Sequence, residues 1–192
     1  MACRNAIWKG PLVADCVQID NGVLIAGGNI DGQIILRGAQ IGDDCNALTG
    51  NGLQLSGPFI LRRSHLRGDV DLIRSQLGAG IRAENSTIDG NACGFYAESA
   101  RIDGDFILTA ARISAGLSIA AHILGPVDAN GSTVSAPQTA IAARSLNVEQ
   151  GFGWSIPTSA ALSTSKVRRS ARDFAPRVLR LTAVPRQLLP AG

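Results

Sequence analysis

The sequence predicts an all-β fold: a parallel β-helix solenoid of about 22 residues per coil, followed by a short basic C-terminal tail, irregular or helical. Three observations predict it. An apolar residue recurs every eleven residues, apolar and polar positions alternate within each unit, and Gly or Ala recurs at one fixed place in it. Period-two alternation belongs to a strand, and self-similarity at a fixed interval belongs to a repeat architecture.

The recurring anchors are Trp8, Ile19, Ile30 and Ile41, then Leu55, Leu66, Leu77 and Ile88, then Ile102, Ile113, Ile123 and Val134, then Val148. Their spacings run 11, 11, 11, 14, then 11, 11, 11, 14, then 11, 10, 11, 14, so blocks of four units span 47, 47 and 46 residues. Apolar residues follow the anchors at +4 and +6, as in Leu12 and Ala14, Ile34 and Leu36, Phe59 and Leu61, Val70 and Leu72, and Phe106 and Leu108. The anchor Val148 extends the pattern, with Phe152 and Trp154 at the same offsets.

Two residues before most anchors stands a small side chain (Ala6, Gly28, Ala39, Ser64, Ser75, Ser86, Ala100, Ala111, Ala121, Ser132) or an apolar one (Val17, Leu53). These positions fit a narrow interior, which an added methylene would overpack. Two residues after the anchors, Gly32, Gly57, Gly68, Ala79, Gly90, Gly104, Ala115, Gly125 and Ala136 mark a corner without a bulky Cβ. Two units then make one coil, and six to seven coils are expected. Stacked at ~4.8 Å, they form a rod roughly 30 Å long.

The five-residue stretches from Ala100 through Ile102 to Gly104, and from Ala111 through Ile113 to Ala115, read small, x, apolar, x, small. In this they resemble the pentapeptide-repeat family over residues 6–154. The resemblance implies a four-sided, right-handed parallel β-helix filled by the small residue and the central apolar one. Some members of that family are acidic mimics of DNA that bind type II topoisomerases. Here the second half of each unit has six residues, and the position before the anchor is rarely Asn or Asp. A three-sided helix of about 22–24 residues per turn is the rival cross-section.

Charge divides the chain. Residues 166–192 carry seven bases and one acid, net +6, so residues 1–165 carry eleven bases and fourteen acids, net −3. We therefore read residues 6–154 as the β-helix domain and 155–192 as a basic tail. The body lacks the broad basic surface of a nucleic-acid binder. Cys3, Cys16, Cys45 and Cys93 show no C-x-x-C pair and no His at ligand spacing, so they read as mostly buried, reduced thiols of a cytoplasmic protein rather than disulfides or metal ligands. Residues 1–11 contain no apolar core of a signal peptide, and the uncharged span 113–127 is too short and too polar to cross a bilayer. No metal or cofactor is expected. The repeat is already in phase at Ala6, so the chain reads equally as a whole protein or as a piece of a longer array.

The candidate chemistry reads as surface. His65 and His122 each precede an anchor, five units apart, and are expected to be solvated on different sides. Asp69 and Asp71 alternate with Val70 and Leu72 and are flanked by Arg67 and Arg74, so they read as an outward charge ladder rather than a glycosidase acid pair. Phosphate-loop, dinucleotide and Gly-x-Ser-x-Gly motifs are absent.

The extra residues in every fourth unit are read within 46–53, 94–99 and 140–146, projecting from one edge of the rod. They form a candidate interaction edge of Thr49, Asn51, Tyr96, Glu98 and Arg144, with Tyr96 its aromatic anchor. Beyond Trp154 the frame stops, and residues 160–174 can form a basic helix ended by Pro176. Such a tail would cap the last coil, remain a disordered appendage, or touch a membrane surface.

The function expected is that of a non-enzymatic scaffold or protein-interaction module, binding a protein partner or another copy end to end. Two alternatives stand beside it. One is a DNA mimic acting on an enzyme such as a topoisomerase, which a body charge of only −3 and Arg62, Arg63, Arg67, Arg74 and Arg82 oppose. The other is a β-helix enzyme acting on a polysaccharide.

Overall fold

In the computed structural model, residues 2–136, 139–143, 146–153, 161–163 and 167–169 are described. Among them the regular elements are all strands, and every pairing between strands is parallel. The chain is a β-solenoid whose coils alternate between 22 and 25 residues at first. The register runs Trp8 to Ile30, Ile30 to Leu55, Leu55 to Leu77, Leu77 to Ile102, Ile102 to Ile123 and Ile123 to Val148.

Each coil contributes four paired segments, which stack into four columns. The first column holds the anchors just named. The second runs Leu12, Ile34, Phe59, Ile81, Phe106, Val127 and Phe152. The third holds the other anchors, Ile19, Ile41, Leu66, Ile88, Ile113 and Val134. The fourth runs Val23, Leu48, Val70, Phe95, Leu117 and Ile141. Four columns per coil select the four-sided cross-section over the three-sided one.

The interior is dry because these columns fill it. Leu55, Leu66, Ile88, Ile102, Phe59, Phe95 and Phe106 are all buried, as are the small residues Ala39, Ser64, Ser75, Ser86, Ala100 and Ala111. Phe95 and Phe106 meet edge to face with ring centroids 5.8 Å apart, a favoured aromatic geometry. Backbone bonds close from coil to coil. The Leu36 N–H donates to the Ile60 carbonyl at 2.8 Å, Leu61 to Arg82 at 2.7 Å, and Leu108 to Asp128 at 2.7 Å.

Several expectations are corrected. Trp8 takes its place opposite Ile30 but is 50% exposed, and Ile7 and Val13 beside it are exposed too, because among the described residues no coil lies in front of the first. The three extra residues enter earlier than read, between the third column and the fourth. Ile41 and Leu48, Ile88 and Phe95, and Val134 and Ile141 are seven apart, where Leu66 and Val70 are four. They do share one edge of the rod, on every second coil. Residues 161–163 and 167–169 form parallel strands on Thr139–Ala142 and Leu146–Val148, so strands stand there in place of the helix expected over 160–174, and the other residues of that span lie outside the described residues. Trp154, Pro176 and the rest of the tail lie outside the described residues.

Candidate functional site

The fourth face carries most of the candidate edge. Outward-pointing positions on this column run Leu24, Thr49, Asp71, Tyr96, Ser118 and Ala142, each paired with the next one coil up. Thr49 and Tyr96 thus share a column with Asp71 between them. Asn51 and Glu98 lie two residues further along the same edge, Glu98 opposite Ala120. Thr49, Tyr96 and Glu98 belong to strands and Asn51 to the turn after Thr49, all downstream of the inserted residues, which the three-residue correction explains. Arg144 lies outside the described residues.

The insertion at 90–94 is what gives this face its shape. It is latched from below by Asp69, whose side chain is 5% exposed and accepts from the backbone N–H groups of Asn91 at 2.8 Å, Gly94 at 3.1 Å and Ala92 at 3.3 Å. Asp69 is therefore not part of an outward ladder; a buried carboxylate needs such donors. Asp71 does point outward, and its Oδ1 accepts from the Ile73 N–H at 2.9 Å.

Beside the latch lies an open groove of about 680 Å³ lined by Asn91, Ala92, Cys93, Tyr96, Glu98 and Ser118 among others. The Ser118 hydroxyl donates to Glu98 Oε1 at 2.6 Å. Burial, followed by the nearby Cys93, Asp69, Asp71 and Glu98, pushes the Tyr96 hydroxyl up to about 12. Burial, with Asp69 and Glu98, pushes the Cys93 thiol up to about 11. A thiol held that high is protonated at neutral pH and is a poor nucleophile. The arrangement can stack, hydrogen-bond and repel anions.

A larger groove of about 800 Å³ lies over the second face, lined by Asp15, Arg37, Arg62, Arg63, Glu84 and neighbours. Two pairs of its charges meet one coil apart. Arg37 meets Asp15 at 2.7 Å and Arg62 meets Glu84 at 2.6 Å, and the hydrogen bond from Arg37 holds the Asp15 carboxyl below its usual range. Arg82 pairs with Asp105 at 2.8 Å on the same side. We read this groove as a structural charge ladder.

The remaining candidates separate. His65 and His122 stand on the third and first faces, as expected, but each meets an acid one coil up, Asp89 at 2.7 Å and Glu149 at 2.8 Å. None of the four cysteines is in a disulfide, yet Cys3, Cys16 and Cys45 are exposed and only Cys93 is partly buried. Cys3 lies on the first described coil, Cys16 at an outward corner whose counterparts Arg63, Asn85 and Ala110 are exposed too, and Cys45 in an insertion, so the expectation of burial fails there. Among the described residues no three His, Cys, Asp or Glu side chains are placed to hold a metal ion. Sequence reasoning placed Asp71 outward as found, misread Asp69 as its outward neighbour and missed Ser118. Their signal was positional: Asp71 and Ser118 fall at the anchor's +5 position, and so does Tyr96 once the three inserted residues are discounted.

No family model matches the chain, and neither a curated protein nor a solved structure matches it.

Proposed function

We propose that this solenoid is a non-enzymatic scaffold, similar to the pentapeptide-repeat family, whose fourth face docks a protein partner through Tyr96. The observation that carries this reading is the shared column of Thr49, Asp71, Tyr96 and Ser118 beside a groove, on strands locked to the coils above and below. A tyrosine held on a rigid strand is the kind of anchor that interfaces favour. The protonated Cys93 thiol and the saturated Asp69 carboxylate support binding over bond-making. Four cysteines outside any disulfide support a reducing, cytoplasmic setting. Coil-to-coil pairing of Arg37, Arg62 and Arg82 with acids weighs against mimicry of DNA.

A photo-crosslinking residue placed at Tyr96, and separately at Gln76 on the first face, tests this in extracts of the native host. A discrete crosslinked protein from position 96 only, lost when Asn51 and Glu98 become Ala, is expected. Identical products from both positions, or none from 96, would remove the reading.

A further inference from the structure

Resting on that docking face, we propose that the groove beside Tyr96 receives an arginine side chain from a basic segment of the protein partner. The groove wall mixes apolar and polar surface, with Ala92, Ala115, Leu117, Ala136 and Ala142 lining it beside Tyr96, and among the described residues no Lys or Arg lines it. Arg74 stands at the corner beyond Ile73, outside that lining. Its fixed charge is the exposed carboxylate of Glu98, held by Ser118. Glu98 follows Tyr96 by two residues on one strand, so both side chains leave the same side, roughly 7 Å apart along it. Asp69 and Asp71 add negative potential at the ring.

A guanidinium fits these features together. Its planar face stacks on the aromatic ring while its N–H groups reach the carboxylate, a combination a compact ammonium does not offer. An anionic segment would meet the carboxylates of Glu98 and Asp71, and a neutral one would bring no counter-charge to Glu98. Complementary charge at a partly desolvated site also sets which partners are rejected.

The test uses the intact protein and fluorescein-labelled Gly-Ser peptides that carry arginine or its neutral isostere citrulline, read by fluorescence anisotropy. The arginine peptide is expected to bind about tenfold tighter or more and to weaken as salt rises. Glu98→Gln and Tyr96→Leu each weaken it by about three- to tenfold, whereas Tyr96→Phe retains the ring and the binding. Gln76→Ala, on another face, leaves it unchanged, and circular dichroism verifies the fold of each variant. Equal affinity for the two peptides overturns the assignment, and so does arginine binding indifferent to Glu98→Gln. If both peptides bind equally and Tyr96→Leu abolishes both, the docking face stands and the arginine occupant falls.

Discussion

Ser75 is fully buried, and its hydroxyl donates to the Gly50 carbonyl at 2.8 Å. Ser64 does the same to Leu36 at 2.5 Å, and Ser132 to Ala129 at 2.6 Å. The small residue before each anchor thus fits the narrow interior, and where it is Ser it also satisfies a buried carbonyl. Gly32, Gly57 and Gly104 were legible as corners, but for a reason other than backbone freedom. A Cβ on each would strike the backbone of the coil below, at Gly10, Gly32 and Ala79. The recurrent left-handed corner falls three residues before the anchor, at Asn5, Cys16, Gly27, Gly38, Gly52, Arg63, Arg74, Asn85, Ser99, Ala110 and Gly131. Those residue types are too mixed to announce it. Tyr96 is the chain's single tyrosine, so a tyrosinate absorbance titration reads it alone. We expect a midpoint near 12 in the folded protein, against roughly 10 in denaturant. A raised folded value leaves stability untouched below roughly pH 10 and removes it as pH rises through about 12. Urea midpoints falling across that window, and less so in Tyr96→Phe, check the sign.

At the scale of the element, the 90–94 insertion depends on a residue from the coil beneath it. Asp69→Ala leaves the Asn91, Ala92 and Gly94 N–H groups without their acceptor. It should cost about 1–3 kcal/mol. The melting temperature should drop, hydrogen exchange over 91–94 should quicken, and alkylation of Cys93, slower than that of exposed Cys3 and Cys16, should accelerate. Unchanged exchange and labelling would mean the loop holds itself. The presence of three extra residues was plain from the spacing, but their place was not. Either side of the fourth column preserves the anchor count, and pairing of Asn46 with Asp69 and Leu48 with Val70 is what locates them.

For the molecule as a whole, stability comes from nearest-neighbour stacking of coils rather than from one central core. Leu55 and Ile102 occupy the same column two coils apart. Excising residues 55–101 should therefore leave a folded, shorter solenoid, with its long axis reduced by about 10 Å in X-ray scattering. Excising 55–90 instead would bring a fourth-column insertion against a first-column segment and should abolish the parallel-sheet circular dichroism. Equal tolerance of both deletions would contradict the register.

The period, the strand class, the inward residues and the edge bearing the insertions follow from local spacing, because every coil must present the same offsets to its neighbours. The number of sides, the burial of Asp69, the exposure of Trp8 and the meeting of Tyr96 with Asp71 and Ser118 do not. Each is set by contact with residues some 21 to 25 positions away, one coil up or down. That neighbour exists only after the chain has wound, so a window along the chain sees the rung and not what lies against it.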